Sequence, residues 1–335
     1  MTNAKVEKAA RALLAMQRHS WEQGVAMHAF LEMGDMETVT AMAFESVNRS
    51  LEDGRAAVIG FTEAVTDHCS IGEGLIKACE LTESNFLCEG RQKLLHWALE
   101  GAPRNEDGII YHLNSTEEFW SDSFYMCPPY FAAEGLFDEA LEQWNGYWDK
   151  LFDEDARLIC HKWDNSTKSY SRIEHWGTGN GWTLASIPRM LEHLPQDKYA
   201  KERKELMEKG GLLLDSLISY MTPEGYFHDV VDDPKTFLET NLSQMTAYFI
   251  YQGIYHGWLA DSYKPYADKM RQAANAKMNE LGFIADVCGA PSFDKSGYSP
   301  EGQAFYIMME AAADRKPVSD VKQNGTGYRH YAVCQ

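Results

Sequence analysis

The sequence predicts an all-α protein, folded as an (α/α)6 barrel of about twelve helices and forming a single domain over residues 1–335. Three observations predict it. Apolar residues recur at helical spacing along nearly the whole chain. Short breakers separate these stretches, and none of them reads as a linker. A short segment of acidic turn, apolar stretch and histidine recurs between helices, as in a closed array of helical hairpins.

Val6, Ala9, Leu13 and Met16 follow the i, i+3, i+7, i+10 spacing of a one-sided helix. Further helical stretches are expected near 22–33, 36–52, 71–82, 86–100, 118–133, 135–150, 180–193, 198–220, 239–257, 264–280 and 300–314. The breakers are Gly34-Asp35, Asp53-Gly54, Gly101-Ala-Pro103, Leu194-Pro195 and Thr222-Pro-Glu-Gly225. Alternating strand patterns are scarce and short, the best being Gly108–His112 and Arg157–His161. The recurring segment is Asn105-Glu-Asp-Gly-Ile-Ile-Tyr-His112, then Asp153-Glu-Asp-Ala-Arg-Leu-Ile-Cys-His161, then Thr222-Pro-Glu-Gly-Tyr-Phe-His228. An open solenoid would show a firmer repeat length than this.

With 31 Lys and Arg against 50 Asp and Glu, the net charge is −19. Such a surface repels nucleic acid and anionic membrane, so neither is an expected partner, and a small or weakly charged ligand fits better. No run approaches the roughly 18 apolar residues of a membrane span. The amino terminus lacks the apolar core of a signal peptide, so a cytoplasmic protein, monomeric by default, is expected. Seven cysteines (Cys69, Cys79, Cys88, Cys127, Cys160, Cys288 and Cys334) form no CxxC pair, and the expectation is free buried thiols. No HExxH or comparable spacing appears, so neither a metal nor a cofactor is expected.

Chemistry-bearing residues cluster with aromatics. Phe119-Trp-Ser-Asp-Ser-Phe-Tyr125, His161-Lys-Trp-Asp164 and His175-Trp-Gly-Thr-Gly-Asn-Gly-Trp182 each pair rings with acids, histidines or amides. Sugars show apolar C–H faces and a hydroxyl rim, which such mixtures recognise; core filling is the competing reading. Asp122 lies between Trp120 and Tyr125, where desolvation would raise its pKa and equip it to donate a proton. It would serve equally as a helix cap. Asp67, before another helix, has the same two readings, and the two acids are a candidate pair. His112 and His161 end two of the recurring segments and are either structural or ligand-binding. Gly177-Thr-Gly-Asn-Gly181 lacks the spacing and preceding strand of a dinucleotide loop, and no GxSxG elbow occurs.

Taken in order, these clusters resemble the unsaturated glycuronyl hydrolases, glycoside hydrolase families 105 and 88, with the closer likeness to family 105. The resemblance runs through Ser20-Trp-Glu-Gln-Gly24, Asp67-His68, Gly108 to His112, Trp120-Ser-Asp122, Tyr125-Met126, Pro129, His161-Lys-Trp-Asp164, Trp176 to Trp182 and Ser299-Pro-Glu-Gly-Gln303. It implies an (α/α)6 barrel that removes a 4,5-unsaturated uronic acid from the non-reducing end of small oligosaccharides. In that reaction an acid protonates C4, water adds at C5, and the resulting hemiketal opens and expels the aglycone. By motif match Asp122 is the general acid/base and Asp67 its carboxylate partner. His112, His161, Trp176, Trp182, Trp21, Tyr125, Trp120 and Thr178 are the expected substrate contacts. Thr178 is a departure, since the family pattern has arginine before Gly-Asn-Gly-Trp; Arg172, Lys162 and His175 are the candidate replacements for the substrate carboxylate. An inverting glycosidase, a sugar epimerase and a non-catalytic carbohydrate-binding barrel are the alternative functions.

Overall fold

The computed structural model describes residues 4–315. Helices alternate between an outer and an inner layer. The outer α1 (Ala4–Met16) leads to the inner α2 (Ser20–Met33), and the outer α3 (Met36–Asn48) to a 3-10 turn (Thr66–Ile71) continued by the inner α4 (Gly72–Thr82). The outer α5 (Asn85–His96) precedes the inner pair α6 (Ser123–Met126) and α7 (Pro128–Ala133). Then follow α8 (Phe137–Leu151) outside and α9 (Gly177–His193) inside, α10 (Ala200–Tyr220) outside and α11 (Asn241–Tyr255) inside. Finally α12 (Lys264–Ala276) lies outside and α13 (Pro300–Ala313) inside. The inner helices touch in sequence, and α13 packs back on α2, which closes the ring.

Burial explains the two layers. In α9, 15 of 17 residues are buried, so that helix must lie among others on every side. In α12 only four of 13 are buried (Ala267, Met270, Ala273 and Ala274), the single stripe of an outer helix. The Gly34-Asp35 break is an efficient one: Gly34 takes φ +74° to end α2, and the Asp35 carboxylate accepts the Thr38 N–H to start α3.

The recurring segment is more regular than the sequence suggests. After α5, the Asn105 N–H donates to the Ile109 carbonyl, and Gly108 adopts φ +83°. The same turn follows α10 at Thr222–Tyr226 with Gly225 at +97°, and a related one follows α8 with Arg157 at +54°. Two further copies, Leu51–Arg55 after α3 and Asn279–Phe283 after α12, share it. Five outer helices thus end in one kind of left-handed turn that reverses the chain toward the next inner helix.

Three sequence expectations need correction. The stretch 118–133 is not all helix: Glu118–Trp120 is strand β1, with Phe119 buried beneath it. The expected extended piece at 108–112 makes only an isolated bridge at Ile110. Arg157–His161 supplies β3 (Leu158–Ile159), which pairs with β2 (Phe152–Asp153). Two unforeseen strands, β4 (Lys162–Asp164) and β5 (Ser169–Arg172), complete a three-stranded sheet with β1. Short pairs β6 (Phe227–His228) and β7 (Leu238–Glu239) lie at the same kind of connection. Nor are all the thiols free, because Cys79 and Cys88 form a disulfide. They stand on facing helices of the α4–α5 hairpin, Cα atoms 5.1 Å apart, a proximity that a nine-residue separation does not announce. Cys69, Cys127, Cys160 and Cys288 are free and buried; Cys334 lies outside the described residues. Among the described residues no helix is long and apolar enough to cross a membrane.

Inside the ring, Arg189 of α9 is buried against Glu73 of α4, with His193 3.9 Å from the same carboxylate. Burial would raise the Glu73 pKa, but the Arg189 and His193 charges outweigh it and hold the carboxyl well below its ordinary 4.5. A depressed carboxyl stabilises the fold above its unfolded pKa and loses that contribution as pH falls. Arg189→Met leaves the Glu73 charge buried and unpaired, and should cost about 3–5 kcal/mol in urea unfolding at neutral pH. Adding Glu73→Gln should recover most of that loss; a single substitution with no effect would refute this role.

Candidate active site

Inner-helix starts converge on one cavity of about 220 Å³. Trp21 comes from α2, Asp67 from the turn before α4, and Asp122 from the start of α6. Trp176, Thr178 and Trp182 come from the start of α9, and Glu301 from the first turn of α13. His112 and Trp120, on the connection between α5 and α6, complete the predicted residues that line it. Two glycines bring the acids in. A Cβ on Gly24 would overlap the Ser70 side chain, so this glycine lets α2 press against the turn that carries Asp67. A Cβ on Gly179 would come within 2.3 Å of the Ser121 hydroxyl, beside Asp122.

Asp122 begins α6, yet its side chain makes no capping hydrogen bond. Its Oδ2 lies 3.6 Å from His161 Nε2. Asp67 is 4% exposed, and its Oδ1 lies 3.7 Å from His112 Nε2. The His112 Nδ1 faces the hydroxyls of Thr66 at 2.9 Å and Ser123 at 3.1 Å, which orient the ring. Burial pushes His112 down to about 4, so it is neutral near pH 7.

The two acids diverge electrostatically. Burial, then the charges of Asp122 and Glu301, raise the Asp67 pKa well above 3.8. Burial acts upward on Asp122 as well, but interaction with His161 and then the charge of His112 reverse the sign and leave it below 3.8. The aromatic flank alone therefore predicts the wrong direction for Asp122. Asp67 therefore keeps its proton to a higher pH than Asp122 does.

The remaining predicted residues divide. His161 does not line the cavity; it stands behind Asp122 and stacks on Trp176 with centroids 4.6 Å apart. Tyr125 is fully buried outside the lining, its hydroxyl 2.9 Å from His28 Nδ1 and its ring against Trp182 and Phe305, so it is a core residue. Trp120 stacks on His112 with centroids 4.3 Å apart, and the Lys162 ammonium lies 3.3 Å from its centroid. These separations place them on opposite faces, so Trp120 offers the cavity an edge rather than a platform. Thr178 Oγ1 lies 3.1 Å from Cys288 Sγ.

Sequence reasoning missed several members of this wall. Phe61, Leu113, Cys288, Phe293 and Glu301 also line the cavity. Glu301 accepts a hydrogen bond from Trp21 Nε1, and burial followed by the Glu22 charge raises it to about 7. It lay within the quoted Ser299-Pro-Glu-Gly-Gln303 motif, so a signal was present. Phe61 and Phe293 come from irregular loops and carried none. Behind the wall, burial raises Asp229 to about 6 and Glu239 to about 8. Asp229 accepts from Trp176 Nε1 at 3.3 Å, and Glu239 from the Leu242 N–H at 2.7 Å. Of the replacements for the missing arginine, His175 is held between Asp153 and Asp232, and Arg172 faces Glu174. Lys162 alone packs against a cavity residue.

The chain is 25% identical over 241 residues to the unsaturated rhamnogalacturonyl hydrolase YesR of Bacillus subtilis, a match covering 67% of each. It is 30% identical over 142 residues to an unsaturated 3S-rhamnoglycuronyl hydrolase of an Alteromonas species, covering 37% of this chain and 32% of that one. A crystal structure from Salmonella enterica serovar Paratyphi A, described as a possible member of the GH105 family, superposes with TM-score 0.82. That likeness covers 92% of both chains at 17% identity and is one of fold. Residues 1–314 match a single family across the whole barrel, and the chain belongs to Glycosyl Hydrolase Family 88.

Proposed function

We propose that the protein removes a 4,5-unsaturated uronic acid from the non-reducing end of small oligosaccharides by hydrating its C4=C5 double bond. The observation that carries this reading is the pair of buried carboxyls, shifted in opposite directions, on one aromatic cavity. Such a pair holds a proton on one carboxyl to higher pH than on the other, as acid–base catalysis requires. Family membership and the names of the relatives support the same reaction.

The enol ether of an unsaturated uronate is nucleophilic at C4, and protonation there leaves positive charge shared between C5 and the ring oxygen. Asp122 is the donor in this scheme. The substrate's own carboxylate enters a cavity whose described lining includes no lysine or arginine. Its negative charge raises the proton affinity of Asp122, which then takes up a proton from Asp67. After transfer to C4, the two carboxylates stabilise the cation and accept a proton from the water that adds at C5. The hemiketal opens, and the aglycone leaves without attack at the anomeric carbon. His112 and His161 hold the acids in register, while Trp176, Trp182 and Trp21 provide apolar surface for the sugar. Lys162, packed against Trp120 outside the lining, reaches the substrate carboxylate and offsets only part of its charge.

Loss of ultraviolet absorbance from lyase-generated unsaturated disaccharides measures the reaction directly. Wild-type protein should bleach at least one such disaccharide and incorporate solvent oxygen at C5; label at the anomeric carbon would reject hydration. Asp122→Asn should lower kcat by about 10²–10⁴-fold, because an amide supplies no proton. Activity near wild type in that variant would remove Asp122 from the scheme.

The pH profile of kcat/KM should be bell-shaped. Its acid limb reflects protonation of Asp122, below 3.8, and its basic limb loss of the Asp67 proton, well above 3.8. Asp67→Asn should be severely impaired, with the basic limb missing from whatever activity persists; an unchanged limb would contradict the assignment. Lys162→Met should raise KM about 10- to 100-fold with a smaller change in kcat, the size of one charge-assisted contact. An unaltered KM would assign the carboxylate elsewhere.

A further inference from the structure

Beside the cavity, on the far side of Trp176, lies a second cleft lined by Asp153, His175, Asp229, Asp232, Asp233 and Asp294 among others. The reaction proposed above uses none of its floor. Asp153 and His175 of this cleft and the fully buried Cys160 each present one potential ligand atom, all within 4.8 Å of one another. His175 is 8% exposed, and its Nε2 is buried without a hydrogen-bond partner. That nitrogen faces the Asp153 carboxylate without reaching hydrogen-bond geometry, an arrangement that an ion held between the two satisfies.

The geometry points to a divalent transition-metal site of the zinc type, with Asp153 Oδ2, Cys160 Sγ and His175 Nε2 as protein ligands. His175 Nε2 and Asp153 Oδ2 are 3.4 Å apart. Bond lengths of about 2.0–2.2 Å to nitrogen and oxygen in a tetrahedron place two such ligands ~3.3–3.5 Å apart, so these atoms already stand at coordinating separation. The 4.8 Å limit leaves the thiol a shift of about 1 Å to complete the triangle.

The surroundings are also those of a metal site. Asp232 Oδ2 lies 2.7 Å from His175 Nδ1, which fixes the ring and directs Nε2 at the ligand group, the carboxylate–histidine–metal arrangement. The Asp153 Oδ1 accepts N–H bonds from Asp155 at 2.9 Å and Ala156 at 3.0 Å, so the carboxylate is anchored through one oxygen and offers the other. Five aspartates line the cleft against Arg172, and that field draws in a dication. On binding, the Cys160 thiol proton passes to solvent, and the fourth coordination position falls to water or an added ligand. The metal would tie the β2–β3 hairpin to the residue next to Trp176, and so brace the cavity wall from outside.

Cobalt(II) as a spectroscopic probe, added to chelator-treated full-length protein, tests the site without recourse to activity. Wild type should bind one equivalent saturably, with thiolate-to-cobalt charge transfer in the near ultraviolet, and zinc should displace it. Cys160→Ser should lose the charge-transfer band, and Asp232→Asn should weaken binding about 10- to 100-fold as an outer-shell change. Should Cys160→Ser fail to fold, Asp153→Asn serves instead, with a loss of affinity of at least tenfold expected. Absence of saturable one-to-one uptake by wild type, a band that survives in Cys160→Ser, or unaltered affinity in Asp153→Asn would each overturn the assignment.

Discussion

Closure of the inner ring is the constraint on which the rest of the molecule depends. Six inner segments run in the same direction because each is followed by an outer helix that returns the chain. Their starting ends are therefore gathered at one end of the barrel, where Trp21, Asp67, Asp122, Trp176 and Glu301 meet. Helix N-termini carry partial positive charge, so the same convergence favours an anionic ligand and ionised carboxylates in the cavity. Residues separated by nearly the whole chain become neighbours, as the Trp21–Glu301 hydrogen bond shows.

Within that cavity, burial alone does not assign roles to the acids. Asp67 and Asp122 are both enclosed, and desolvation acts upward on each. What separates them is the interaction of His161 with Asp122, while the charges of Asp122 and Glu301 push Asp67 further up. Two neighbouring carboxyls whose proton affinities are driven apart are the arrangement that acid–base chemistry needs. Asp122 stands at a helix start without capping it, and its Oδ2 faces His161 instead.

The recurring left-handed turns also shape the rim. Each follows an outer helix and reverses the chain toward the next inner segment. The copies at 105–112 and 153–161 end on His112 and His161, the two imidazoles that face the acids. The second copy also carries Asp153 and Cys160, so one structural device serves both the cavity and the acidic cleft beside it. Gln303 of α13 shows how such turns are locked: its side-chain amide accepts the Ile284 N–H and donates to the Gly282 carbonyl.

Much of this was legible in the residues themselves. Local periodicity and local breakers determine helices and their ends, and Gly34-Asp35 marked a boundary because the signals for stopping and starting are contained in two residues. The motif order also singled out Asp67, Asp122, His112, Trp176 and Trp182, which line one cavity. Tertiary structure alone decided matters that depend on through-space partners. The sign of the Asp122 shift comes from His161, 39 positions away. The Cys79–Cys88 bond follows from the facing of two helices. Tyr125 went to the core rather than the cavity because the rotation of a short helix chooses which side each ring takes. Spacing along a chain encodes a helix face, but the dielectric and the neighbours at that face exist only once the ring has closed.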